Sequence, residues 1–243
     1  MNATERFLEN WNKLSAELGD EPAWLTAQRE QGRERFAALG FPTTRHEEWK
    51  YTNVASLKQL AFELADEGEA PATALDEAVE RWRVPGVALA VFVDGRFDAA
   101  RSDLTELPEE LRVESLRETV ARDPSWLAER LGKHLDVEDQ AFTALNAALW
   151  RDGLCVHAPA GLKVERPLQL LAIATGAERA VEIQLRHVIA VERSAEVTLI
   201  EHYVGLDGRP VFENVVGEIE LADNARLDRY KVELCARDGY HVG

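Results

Sequence analysis

The start of the chain carries apolar residues at helical spacing. In residues 3–18 they recur at intervals of three and four and fall on one stripe: Phe7, Leu8, Trp11, Leu14 and Leu18. A second helix is predicted to begin near Pro22 and to end at Gly40, since proline suits the first turn of a helix and glycine suits its end. These two helices are candidates to pair with each other.

The middle of the chain combines one short sheet element with further helices. Residues 87–93 form a continuous apolar run that meets Asp94-Gly95, a strong hairpin signal. Residues 115–121, 125–131 and 137–150 have the spacing of helices, the last with Phe142, Leu145 and Leu149 on its buried side. Residues 1–150 are therefore predicted to form a mainly helical amino-terminal domain with a small hairpin.

From Gly153 onward the pattern becomes that of short strands. Six β-rich runs cover residues 154–158, 168–174, 181–191, 197–204, 215–221 and 227–234, and glycine, proline or Asp-Asn turns separate them. No helix is predicted between them, so residues 151–243 are expected to form an all-β unit. On this evidence a sandwich, a barrel and a β-helix all remain open.

A weak internal repeat bears on that choice. Four residues match others at a constant offset of 28 positions: Val188, Val191, Glu192 and Leu199. A constant offset is what a solenoid leaves in a sequence, because each coil buries its apolar positions against the next coil. Chance alternation of valines explains the match equally well.

Charge and composition exclude some function classes. The chain has 28 Lys and Arg residues against 44 Asp and Glu residues, and its net charge of −16 repels nucleic acids and anionic membranes. The first residues lack the pattern of a signal peptide, and no apolar run is long enough to span a bilayer. A cytoplasmic location without nucleic-acid or membrane partners is therefore expected.

The two cysteines offer little for metal chemistry. Cys155 and Cys235 have no zinc-finger spacing and are expected to be free thiols. Cys155 and His157 lie two apart in a predicted strand, so their side chains share a face and are the candidate ligands for a soft metal. Two ligands do not make a site, and no metal site is predicted here.

His187, Glu201 and His202 suggest an alternative, cupin-like metal centre, because two imidazoles and a carboxylate are a familiar ligand set for iron or manganese. Glu201 and His202 are adjacent in a strand, however, so their side chains point to opposite faces. The chain also lacks a phosphate-binding G-x-x-x-x-G-K-[ST] loop and a G-x-S-x-G elbow. We therefore expect a protein that is not an enzyme and has no catalytic residues.

Residues 41–52 read FPTTRHEEWKYT. This stretch resembles the signature near the start of SufD-type members of the SufB/SufD family, which belong to the iron–sulfur cluster assembly machinery. The resemblance continues through residues 141–153 and 164–170 and covers nearly the whole chain. The residues that match the signature are Pro42, Arg45, Glu48, Trp49, Lys50, Tyr51 and Thr52.

The resemblance implies a mixed fold, in which a helical amino-terminal domain precedes a right-handed parallel β-helix that is incomplete at the carboxy end. It implies a non-catalytic scaffold that acts in a complex with SufB-like and SufC-like (ATPase) partners. This chain alone would bind no cofactor, and an iron–sulfur cluster would belong to the assembled complex. The sequence leaves open whether a flavin binds there and whether the chain forms a homodimer. The alternatives are the cupin-like or β-helical metalloenzyme using His187 and His202, and a plain acidic binding module.

The signature itself has two interpretations. Trp49, Lys50 and Tyr51 suit a partner-binding patch, because aromatic residues are enriched in interface cores. We favour a structural role, in which Trp49 and Tyr51 anchor the segment against the β-helix while Arg45 pairs with Glu48.

Overall fold

The computed structural model describes residues 3–65, 70–176, 179–206 and 208–243. Within these ranges the α-helices are α1 Ala3–Glu17, α2 Ala23–Leu39, α3 Ala72–Trp82, α4 Leu116–Arg122, α5 Pro124–Ala128 and α6 Ala141–Leu149. The strands are β1 Glu63–Leu64, β2 Ala88–Val93, β3 Arg96–Phe97, β4 Arg112–Ser115, β5 Leu154–Ala158, β6 Leu168–Ala174, β7 Val181–Val191, β8 Glu196–Gly205, β9 Val211–Leu221, β10 Arg226–Leu234 and β11 Tyr240–Val242. Two 3₁₀ turns cover Glu47–Trp49 and Ala55–Gln59.

The fold is mixed, with helices packed on two sheets of mostly parallel strands. From β5 onward, successive strands alternate between the sheets. The first sheet has the order β11-β9-β7-β5-β4, with β1 also beside β7, and the second has the order β10-β8-β6-β2-β3. Only β2–β3 and β4–β5 pair antiparallel among the described strands.

Most elements agree with the sequence analysis. Strands β5, β6 and β7 have the predicted bounds, and β8, β9 and β10 contain the predicted runs. The predicted hairpin is formed by β2 and β3, with Asp94 at φ 48° and Gly95 at φ 79° in its turn. Helix α3 was not predicted, and neither was the parallel pairing of β2 with β6, which places residues before Gly153 in the second sheet.

The weak 28-residue repeat does not describe the pairing of the strands that suggested it, although β9 and β11 do pair at this offset, Phe212 with Tyr240. Val181 pairs with Val211 and Glu196 with Arg226, so these neighbouring strands are offset by 30 residues in both sheets. The error has a simple origin. Side chains alternate between the two faces of a strand, so a shift of two residues still places apolar positions opposite one another. Valine-rich strands therefore do not distinguish the two registers.

The main core lies between the two sheets, where residues such as Leu154, Leu170, Leu185 and Leu199 pack together. The outer face of the first sheet carries α1, α2 and α6 through an aromatic cluster in which Phe7 and Phe212 have ring centroids 5.8 Å apart. Helix α3 covers part of the outer face of the second sheet, on Leu171, Ile173 and Val204.

Helices α2 and α6 approach closely at Gly32. A Cβ atom at this position would lie 2.7 Å from the carbonyl oxygen of Ala144, so a larger residue would push the helices apart. In the described part of the chain no helix combines the length and apolar character needed to cross a bilayer.

Candidate functional site

Cys155 and His157 lie on the outer face of β5, as their alternation with Leu154 and Val156 predicts. The thiol is completely buried beneath the helices, among Leu25, Leu127 and Trp150. Burial raises the pKa of Cys155 to about 11, so the thiol stays protonated at neutral pH.

His157 is only partly buried and does not act together with that thiol. Its Nε2 atom lies 2.7 Å from Oε1 of Glu192, and its ring packs on Trp126 with centroids 5.3 Å apart. Cys235 is exposed on the segment after β10, far along the chain from Cys155. These contacts give each residue its own surroundings and do not assemble a shared metal site.

The structure separates the three residues of the alternative metal centre. His187 and Glu201 point into the space between the two sheets, whereas His202 lies on the outer face of β8, where its Nδ1 is 3.1 Å from Nε2 of Gln169. Across the described ranges no group of three or more His, Cys, Asp or Glu side chains has a geometry that could hold a metal ion.

His187 belongs instead to a buried chain of hydrogen bonds. The backbone N–H of Leu154 donates to Nδ1 of His187 at 2.9 Å, so the proton of the neutral ring must lie on Nε2. That atom is 3.2 Å from the hydroxyl of Tyr203, which donates to Oε2 of Glu201 at 2.8 Å. The chain crosses from one sheet to the other, because His187 is in β7 and Tyr203 is in β8.

Arg229 closes this chain from the edge of the second sheet. Its Nη2 donates to Oε2 of Glu201 at 2.9 Å, and its Nε donates to Oε1. Burial acts to raise the pKa of Glu201, but the hydrogen bonds from Arg229 and Tyr203 outweigh it and hold the pKa below its ordinary value. Burial lowers the pKa of His187 to about 4, so a neutral imidazole faces an ionised carboxylate through the phenol.

A second polar group lies beside this chain of hydrogen bonds, on the side of β11. His241 Nδ1 lies 2.8 Å from Oε2 of Glu213, and the ring packs on Tyr203 with centroids 4.9 Å apart. Lys231 lies over the ring of Tyr203 at 5.3 Å and pairs with Glu233 at 2.8 Å. The space between the sheets is thus aliphatic around β5 and β6 and becomes ionic toward the edge formed by β10 and β11, where Arg229 and Glu233 are exposed. We call His187, Glu201, Tyr203, Glu213, Arg229, Lys231, Glu233 and His241 the interior network.

The signature segment, residues 42–52, runs over the surface between α2 and the second 3₁₀ turn. Pro42 is buried and Trp49 is half-buried on Phe142, with ring centroids 5.1 Å apart. Tyr51 is 92% exposed, so the expectation that it anchors the segment is wrong. Arg45, Glu48, Lys50 and Thr52 are also exposed. The ion pair in this segment joins Lys50 to Glu47 at 3.9 Å, and among the described residues Arg45 forms none with Glu48.

Comparison with known proteins decides the family. Residues 1–170 match the model of the SufBD protein N-terminal region, and residues 173–243 match that of the SufBD core domain of the SUF system for FeS cluster assembly. The chain belongs to the SufBD family. This confirms the resemblance first seen in the signature segment.

Several curated SufBD relatives show similarity over nearly all of the chain. It is 28% identical over 235 residues to an iron–sulfur cluster assembly SufBD family protein of Synechocystis, covering 92% of this chain and 51% of that protein. It is 29% identical over 227 residues to the iron–sulfur cluster assembly protein SufD of Escherichia coli, covering 93% and 49%. For SufD of Bacillus subtilis the identity is 25% over 231 residues, covering 90% and 50%. The chain therefore spans about half the length of these SufBD relatives.

Sequence reasoning missed most of the interior network in this SufBD chain. The sequence did contain a sign of it. Leu227 packs against the core, and every second residue after it in β10 is charged: Arg229, Lys231 and Glu233. Charged residues at inward positions of a strand indicate an ionic interior. The register was also needed, since only the 30-residue offset places Lys231 opposite Glu201.

Proposed function

We propose that this SufBD chain is a non-catalytic scaffold subunit of iron–sulfur cluster assembly, which acts in the cytoplasm with SufB-like and SufC-like partners. The observation that carries the proposal is the match of both regions of the chain to SufBD family models. The iron–sulfur cluster is then the cargo of the assembled complex rather than a resident group of this chain.

The environments of the polar side chains support a role without catalysis. The Cys155 thiol is sealed under helices, and His187 and Glu201 are engaged with Tyr203 and Arg229 rather than directed at a cavity. A scaffold needs rigid surfaces, and buried hydrogen-bond networks that are satisfied internally supply rigidity.

We further propose that the two sheets are two faces of a right-handed parallel β-helix, in which each coil contributes one strand to each sheet. Two features support this. Consecutive strands from β5 to β11 alternate between the sheets, and each strand from β7 onward pairs in parallel with the strand two positions earlier along the chain. Each coil then offers its strand edges and its outer faces to partners, as solenoids do.

Co-purification tests the proposal. The full-length gene product, tagged and co-expressed with the SufB-like and SufC-like proteins of its organism, is expected to elute with both in fixed stoichiometry. The double variant Cys155→Ala/Cys235→Ala is expected to assemble equally well and to support cluster formation by the complex at the wild-type rate. A tagged protein that elutes alone, retains stoichiometric metal and turns over a small molecule would establish the metalloenzyme alternative instead.

A further inference from the structure

Tyr51 is the most exposed large side chain of the signature segment, and the backbone holds it in a fixed place. The segment is a series of tight turns, in which Trp49 N donates to His46 O at 3.0 Å and Thr52 N donates to Trp49 O at 3.0 Å. Trp49 pins the turns to α6 through Phe142. The Tyr51 ring is 92% exposed, and Nζ of Lys50 lies 5.6 Å from its centroid. A single exposed aromatic side chain is ordinary on a protein surface, so its significance depends on what surrounds it.

Trp49, two residues before Tyr51 in the chain, forms part of the wall of a surface cavity of about 350 Å³. Apolar residues supply part of the lining, namely Leu39, Pro42, Trp49 and Ala141. The cavity lies between the end of α2, the first 3₁₀ turn and the residues before α6. It has room for one long side chain of another molecule, which would contact the part of Trp49 that lines the cavity.

The remaining walls of the cavity are polar and mostly acidic, with His46 and Gln140 beside the carboxylates. Four carboxylates line it: Glu47, Glu48, Asp136 and Asp139. Lys50 is the cation that pairs with one of them, through Glu47 at 3.9 Å. An acidic rim alone would be an ordinary solvated surface. Here the acidic rim surrounds a cavity that Trp49 helps to line. The exposed Tyr51 follows Trp49 by two residues in the chain.

We propose that the signature segment and this cavity form a docking surface for a segment of a partner protein that is rich in lysine and arginine. The acidic rim complements such a segment in charge, and Trp49 offers a cation–π face to a basic side chain that enters the cavity. Tyr51 is the aromatic anchor beside it, since tyrosine is frequent among residues that dominate binding energy. The chain's net charge of −16 excludes nucleic acids and anionic lipid surfaces as occupants. The inference rests on this geometry alone and does not depend on the subunit role proposed above.

The test is fluorescence anisotropy with the whole chain and a dye-labelled peptide of alternating arginine and alanine at low ionic strength. Tyr51→Ala is expected to weaken binding about tenfold and Glu47→Gln/Glu48→Gln roughly fivefold, while Tyr51→Phe binds like the wild type. The matched control is Glu109→Gln/Glu110→Gln, which removes two neighbouring exposed carboxylates away from the cavity and is expected to change binding by less than about twofold. All these side chains are exposed, so thermal unfolding should be unchanged.

Three results would overturn the proposal. The first is equal weakening by the two glutamate pairs, which would mean that the peptide senses only the overall charge. The second is wild-type affinity in Tyr51→Ala. The third is a wild-type chain that binds the arginine peptide no better than a peptide of alternating glutamate and alanine.

Discussion

Arg186 and Glu218 form an ion pair of 2.7 Å between Nη2 and Oε1, on neighbouring strands and with both side chains buried. The carboxylate also accepts hydrogen bonds from the backbone N–H groups of Gly132 at 2.7 Å and His134 at 3.1 Å. Arg186 Nη1 donates to Oδ1 of Asn146 in α6 at 3.2 Å. The pair therefore joins β7 and β9 to the helical layer that covers the first sheet.

Glu218→Leu is predicted to lower the free energy of unfolding by about 3–5 kcal/mol, because Arg186 would be left buried without a counter-charge. Urea unfolding followed by circular dichroism measures the loss. Glu220→Leu is the matched control two residues further along β9, where a partly exposed carboxylate pairs with Arg130 at 3.2 Å. Its loss should stay below about 1 kcal/mol, and equal losses for the two variants would contradict the prediction.

Tyr203→Phe is predicted to cost about 1–3 kcal/mol of stability, because it removes the hydroxyl that joins His187 to Glu201 and leaves buried polar atoms without partners. Tyr230→Phe, on the exposed outer side of β10, should leave stability unchanged. Chemical denaturation of the two variants under identical conditions provides the comparison. Indistinguishable midpoints would show that the interior network contributes nothing measurable through this hydroxyl.

Glu182 gives a prediction about pH. It is buried against α1, where Asn10 Nδ2 donates to its Oε1 at 2.7 Å. Burial raises the pKa of Glu182 to about 8 from an ordinary value of 4.5, so the folded state binds more protons than the unfolded state between these values. By linkage, its contribution to stability is fully present below pH 4.5 and is lost as the pH rises through about 8.

Glu182→Gln is therefore predicted to gain stability relative to the wild type as the pH rises from about 5 to about 8, by up to a few kcal/mol, and to level off above that. Denaturant unfolding at a series of pH values tests this. Glu9→Gln, at an exposed position of α1 next to Asn10, should track the wild type throughout. A difference between Glu182→Gln and the wild type that does not change with pH would count against a protonated Glu182.

The features that could be predicted from the sequence are those that depend on residues close together in the chain. The β-rich runs between turn residues gave the bounds of β5, β6 and β7, and Asp94-Gly95 gave the hairpin, because both signals are decided by neighbouring residues. Parallel pairing depends on residues far apart in the chain. Ala88 pairs with Leu168, and no local signal specifies this partner. Helix α3 carries an apolar stripe at helical spacing, Leu75, Ala78, Val79 and Trp82, which the sequence analysis overlooked.

The candidate site was harder to predict for the same reason. Alternation correctly separated His202 from Glu201, yet the contact of His187 with Tyr203 crosses between two sheets whose relative placement no pattern specifies. Exposure of Tyr51 was also unpredictable, because aromatic residues beside Trp49 are equally typical of anchors and of interfaces.

The two cysteines give a final prediction, which bears directly on sulfur chemistry at Cys155. The thiolate is the reactive form, and burial both raises the pKa of Cys155 to about 11 and blocks reagents. In the native protein, iodoacetamide at pH 8.5 should modify Cys235 alone, and both thiols should react once the chain is unfolded in urea. In Cys235→Ala the native protein should take up no label, which mass spectrometry of the intact chain detects. Rapid labelling of Cys155 in that variant would mean that the helical layer opens readily, and the thiol would then be available to exchange sulfur with a partner.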